Sequence, residues 1–193
     1  MRQFDGGDEL SLTIRVQQLL DSIPTTISVP GASIAVTHHA SVALGEAPQA
    51  IVLREPDVTP DTLTQIDTWP AGRERRTVLL LWNRQSVARG MALHYNETTN
   101  TLFVGAETFA TAVSLDSGEA VGAHAVALFW SFQPAGEFVI ELGELSCFLR
   151  SGTGEILGET SVDPPYELTE ETEGIRFDSP VMGTTWLRFP RAG

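Results

Sequence analysis

From Ile27 to the end of the chain, runs of strand-type residues recur with turn residues between them, and they leave no room for a long helix. SIAVTHHASVAL, QAIVLRE, RTVLLLWN, ARGMALHYN, TLFVGAE, HAVALFWSF and EFVIELGELSCFLR are rich in β-branched and aromatic residues, which suit a pleated, half-buried surface. Gly, Pro, Asn or Asp separates them at intervals of roughly 10 to 15 residues. Parallel strands need crossover connections of helical length, and none is present here. The pattern therefore predicts an all-β fold, mainly antiparallel, built as a β-sandwich or a jelly-roll-like barrel. Within it, Tyr95 to Thr101 is a polar tip joining MALHY to LFVG as a hairpin.

The two ends differ from this middle. In Gly6 to Ile23, Leu10, Leu12, Ile14 and Val16 alternate like a strand, whereas Leu12, Val16, Leu19, Leu20 and Ile23 share one face of a helix. With Asp8 available as an N-cap and Pro24 as a stop, a short amphipathic helix or arm is favoured over residues 1–28. The sandwich is expected over 29–150. Beyond Ser151-Gly152-Thr153-Gly154, residues 151–193 read as a C-terminal extension: Asp163-Pro164-Pro165, an acidic run from Glu167 to Glu173, and a final hairpin in GIRFDSPVMGTTWLRFP.

Composition narrows the function. The 193 residues are 42% hydrophobic and 19% charged, a globular balance. No apolar run is long enough to cross a bilayer as a helix, and MRQFDGGDEL lacks the basic-then-apolar order of an export signal. A soluble chain without membrane insertion is expected. Every basic residue is arginine, and the formal charge is −13. Residues 1–96 carry ten acids and eight arginines, and the remainder fifteen acids and four arginines. That balance argues against nucleic acid as a partner. The single cysteine, Cys147, excludes an intramolecular disulfide and sits among apolar neighbours as an inert buried thiol.

Candidate chemistry is sparse. His38 and His39 suggest a metal pair, but neighbouring residues of a strand face opposite sides of the sheet, and no metal is expected. No Gly-x-Ser-x-Gly elbow, Walker loop or GxGxxG occurs, so no cofactor and no enzymatic activity are expected. Glu137, Glu141 and Glu144 read as a solvated strand face, because Glu137, Val139 and Glu141 alternate with Phe138, Ile140 and Leu142. Trp69, Trp82, Trp130 and Trp186 are either core residues, three of them closing apolar runs, or a platform for a glycan. Arg73, Arg75, Arg76, Arg84 and Arg89 form the one basic cluster. They are either a solvated turn or a docking patch for an acidic surface such as Glu167, Glu170, Glu171 and Glu173 of a neighbouring copy.

An ordered pattern runs through Leu63-x-x-Ile66, Gly72, Val78-Leu79-Leu80, Leu93, Asn100-x-Leu102, Leu115, Glu119-Ala120-Val121, Leu128-x-Trp130 and Glu141. It resembles a β-rich module of tailed-phage and gene-transfer-agent fibre, spike and capsid-associated proteins, over about residues 60–142. Trp69-Pro70-Ala71-Gly72 stands where that family often has adjacent glycines, and Phe138 where it often has tryptophan. The resemblance implies a non-enzymatic virion protein, a capsid decoration or a fibre component. Such a protein assembles as a homotrimer with other virion proteins and has a host-surface glycan as a further partner. The alternative is a soluble carbohydrate-binding or cupin-like β protein.

Overall fold

The computed structural model describes residues 12–14, 25–39, 50–83 and 91–190. Among them every regular element is a strand. Strand β1 is Leu12–Ile14, β2 Thr25–Val29, β3 Ala32–His39, β4 Ile51–Arg54, β5 Thr62–Pro70 and β6 Arg76–Trp82. Next come β7 Met91–Asn96, β8 Thr101–Ala106, β9 Phe109–Ser114, β10 Ala120–Ala125, β11 Phe129–Ala135 and β12 Phe138–Gly143. The last are β13 Ser146–Ser151, β14 Ile156–Ser161, β15 Glu167–Glu171, β16 Gly174–Ser179 and β17 Gly183–Arg188.

They form four sheets, ordered β2-β3-β5-β6-β4, β1-β7-β8-β9-β10, β11-β12-β13-β14 and β15-β16-β17. All pairs are antiparallel except β4 with β6. The expected all-β, mainly antiparallel sandwich architecture is present, and it is doubled. One core, with Ile34, Val36, Ile66, Val78, Leu80 and Trp82 on one side and Met91, Leu93, Leu102, Val104 and Val113 on the other, joins the first two sheets. A second core sets Phe103, Ala110 and Ala112 against Phe129, Phe132 and Val139, and so joins the β7–β9 face to the β11–β14 sheet. A third sets Ile140, Cys147 and Leu149 against Ile175, Phe177 and Leu187 of the last sheet. The sheets are thus stacked four deep.

This stacking explains the residues of β7, β8 and β9. An antiparallel strand with one wet face alternates polar with apolar, but these three have both faces covered and are buried almost throughout. On the face toward β11–β14 they carry small residues: Ala92, Gly105, Ala110 and Ala112 lie opposite bulky Phe129 and Phe132. At Gly105 the approach is closest. A Cβ there would fall 2.3 Å from the Phe129 ring, so only glycine fits that position against that ring.

Two segments depart from expectation. Leu12 to Ile14, placed by periodicity in a helix, forms an edge strand whose Leu12 lies opposite Leu93. The rest of the N-terminal segment lies outside the described residues. The two-residue period among Leu10, Leu12, Ile14 and Val16 was the relevant signal at these positions, since pairing to an open sheet edge outweighs a weak helical face. The C-terminal extension contains the expected hairpin as β16–β17, but β15 adds a third strand, and β14 completes the β11–β14 sheet through β13. The expected extension is therefore divided: β14 belongs to the sheet that begins at Phe129, and only β15–β17 form the outer layer packed on it.

Candidate functional site

The hairpin between β5 and β6 turns at Gly72, as expected, with φ of +70°. Its arginines are engaged by carboxylates of the same chain. Arg73 Nη1 donates to both oxygens of Asp116, at 2.9 and 3.0 Å. Asp116 also accepts from Asn100 Nδ2 at 2.6 Å, and these bonds, the Asn100 one first, hold its carboxyl below the ordinary aspartate value. Arg75 reaches Asp67 at 2.8 Å while its guanidinium lies over the Trp69 ring, 5.2 Å from the centroid. Burial alone would raise the Asp67 pKa. The bonds it accepts from Thr77, Arg75 and Gln65 outweigh that and lower it. Half-buried Arg76 feels the Asp116 charge. Arg84 and Arg89 lie outside the described residues.

The acidic run is engaged in the same way. Glu171 pairs with Arg176, which also holds Asp178, and Glu173 pairs with Arg188 at 2.6 Å. Glu167 and Glu170 have no ion pair among the described residues. Of the expected docking residues, Arg73, Arg75, Glu171 and Glu173 thus have partners within the same chain. The arginine corner is mostly a set of local ion pairs.

The tryptophans divide. Trp82 is 1% exposed, and its Nε1 donates to the Thr64 hydroxyl at 3.1 Å. That hydroxyl lies 2.9 Å from His38 Nδ1, so His38 is a buried hydrogen-bonding residue of the core, and His39 falls on the opposite face. Trp69 and Trp130 are 40% and 43% exposed, and Trp186 lies beneath the Arg188 guanidinium, 3.9 Å from the ring centroid. Of the four tryptophans only Trp82 is fully buried. Trp130 is the extra residue of a bulge, where Phe129 pairs with Gly143 and Ser131 with Leu142. Such an insertion re-aims the side chain. Leu128, two residues earlier, adopts φ of +54°, an unusual conformation for an aliphatic residue. Trp130 stacks on Tyr166 with centroids 5.3 Å apart, and the Tyr166 hydroxyl donates to Gly143 O at 3.0 Å.

Around Val162 to Tyr166 a set of apolar side chains stands in the open. Leu145 accepts the Val162 amide through its carbonyl, and Ser179 Oγ donates to Asp163 O, so the β12–β13 turn and the β16–β17 tip meet there. Leu145 is 52% exposed, Val181 74% and Met182 47%, with Trp130 beside Tyr166. Cys147, by contrast, is fully buried, and burial pushes its thiol up to about 11.

The largest departure from the sequence reading is Glu141. It was expected on a solvated face, yet it is wholly buried, as is Arg150. Arg150 Nε and Nη2 each donate to Glu141 Oε2 at 2.7 Å. Its Nη1 donates to Gly154 O at 2.8 Å and its Nη2 to Gly122 O at 3.0 Å. His124 Nδ1 lies 3.0 Å from the same Nη2 and 3.1 Å from Gly122 O. His124 Nε2 faces Glu141 Oε1 at 3.0 Å, off the line of a well-formed hydrogen bond. Residues of β10, β12 and β13 are tied together here, at the joint between the second and third sheets. Alternation placed Glu141 on the same face as Val139 correctly; what it missed is that another sheet covers that face.

A groove of about 420 Å³ opens at the opposite end from the exposed apolar cluster, where the β2–β3 turn, the end of β7, the β11–β12 turn and β15 come together. Pro30, Asn96, Glu97, Pro134, Phe138 and Glu170 are among its lining residues. Comparison of the chain with family models, with characterised proteins and with solved structures finds no match.

Proposed function

We propose that the chain is a non-enzymatic assembly protein of a tailed-phage-type virion, a capsid decoration or fibre component that associates with copies of itself, as a homotrimer, and with other particle proteins. The observation that carries this reading is the open apolar cluster of Trp130, Leu145, Val181 and Met182 around Val162–Tyr166. Isolated apolar side chains are common on protein surfaces, but several large ones gathered at one end of a stack mark a contact surface. The bulge that turns Trp130 outward supports the same reading, because it places an aromatic anchor where a partner can cover it. The arginine corner is a secondary contact at most, since Asp116 and Asp67 already occupy Arg73 and Arg75. A host-surface glycan remains part of the proposal through the exposed Trp69 and Trp130.

The test is the stoichiometry of the chain in purified particles, measured by quantitative mass spectrometry. Hundreds of copies identify a capsid decoration, and a dozen or so a fibre or collar. A chain that never co-purifies with particles, and that binds a saccharide as a stable monomer, overturns the proposal in favour of the carbohydrate-binding alternative.

A further inference from the structure

We propose that the groove where the four sheets meet is a docking site for a basic, extended segment of a partner protein. An arginine or lysine of that segment is taken by Glu97 and Glu170, and an adjoining apolar side chain lies against Phe138. The proposal rests on the assembly reading and gives it a class of partner.

The groove combines apolar walls with two carboxylates that no arginine among the described residues neutralises. Asp67, Asp116, Glu171, Glu173 and Asp178 each have an arginine of this chain within ion-pair distance. Glu97 and Glu170, which line the groove, have no hydrogen bond or ion pair among the described residues. Glu97 also passes close to backbone. Its side chain lies across Gly31, which turns between β2 and β3 with φ of +72°, and a Cβ on Gly31 would come within 2.4 Å of Glu97 Cδ.

The remaining walls decide between ligand classes. Val29, Pro30, Pro134 and Phe138 offer no side-chain donor, and Phe138 is fixed by stacking on Phe189 with centroids 5.0 Å apart. The Tyr95 hydroxyl is directed to Asn100 Oδ1 at 2.9 Å. His94 and Asn96 are the remaining polar side chains, beside two carboxylates that only accept. A saccharide needs donors and acceptors in comparable number, and an acidic or phosphate-bearing ligand would be repelled. A cation flanked by apolar groups satisfies both the carboxylates and the walls. The volume, about 420 Å³, suits a short stretch of side chains and backbone.

The experiment uses the isotope-labelled full chain, titrated with a blocked peptide alternating valine and arginine, and separately with its valine–glutamate counterpart and with maltose. Amide shifts are followed at about 0.02 M and about 0.15 M salt, across the change in screening length. The expected result is that the arginine peptide alone binds, shifting Asn96, Glu97, Phe138 and Glu170. It should bind about tenfold more weakly to E97Q/E170Q. A control variant, E155Q/E159Q, removes the same charge from two exposed positions, one just before β14 and one on it, and should retain the wild-type affinity. Equal weakening in both variants means attraction to net charge only and overturns the proposal, as do shifts confined to other sites or a preference for maltose. Absence of peptide binding by a chain that still co-purifies with particles overturns the groove alone. Binding by a chain absent from particles overturns the assembly reading and leaves the groove.

Discussion

The carboxylate of Glu141 and the guanidinium of Arg150 meet at 2.7 Å with neither side chain exposed to solvent, and together they fasten the third sheet to the second. A buried pair of this kind contributes less than its Coulomb energy suggests, because both charges lost their hydration. Breaking it is another matter, since one charge is then stranded. Glu141→Gln or Arg150→Met alone should cost about 3–5 kcal/mol, while the double apolar replacement E141L/R150M should cost less than either. Urea unfolding of the four proteins checks this; a double variant as unstable as the sum of the singles would show that the two side chains do not act as a pair.

The contact between Gly105 and the Phe129 ring makes a second prediction. Gly105→Ala places a methyl group inside that ring's position and should destabilise by about 1–3 kcal/mol. Phe129→Leu vacates the space, so the two changes should be less than additive in a double-mutant cycle read from thermal or urea unfolding.

Asp67 sets an acid limb on stability. Its folded pKa lies below the ordinary value because the bonds from Thr77, Arg75 and Gln65 outweigh its burial. The unfolded chain therefore binds the proton more readily than the folded one. The resulting stabilisation is complete above the unfolded pKa of about 3.9 and is lost as pH falls through the lower folded value. Asp67→Asn should remove this component, giving a protein that is less stable near neutrality and falls less steeply below about pH 4. Unfolding midpoints across that acid range measure both curves, and parallel curves would refute the assignment.

Much of the architecture was legible in the residues. The β-branched runs and the turn residues between them predicted strands, and the hairpins at Gly72, at Tyr95–Thr101 and in the last seventeen or so residues follow local turn chemistry that no tertiary contact overrides. The stacking was not legible in the same way. Period-two alternation says which residues share a face but not what covers that face, so Glu141 was assigned to water although Val139 beside it pointed to burial. The small residues Ala92, Gly105, Ala110 and Ala112 were the available signal, because a row of them on one face of a sheet admits a close neighbour. The tryptophans failed for a related reason: position at the end of an apolar run predicts burial only where the pleat continues, and the bulge at Trp130 breaks it. The arginine cluster read as a basic patch because its carboxylate partners, Asp67 and Asp116, are separated from it in sequence or lie on the neighbouring sheet.

The exposed cluster at the outer end of the stack concerns assembly directly. Val181 stands outside the cores and Trp130 reaches them only through Tyr166, so replacing them should leave the chain folded while removing apolar area that a partner covers. The most direct measurement is the mass of the wild-type chain and of V181D/W130A by light scattering over a range of concentrations, with unfolding midpoints recorded alongside. The wild type should assemble, and the variant, still cooperatively folded, should be monomeric or about tenfold or more weaker in association. A wild-type chain that stays monomeric throughout, or a variant that assembles as well as the wild type, would contradict it.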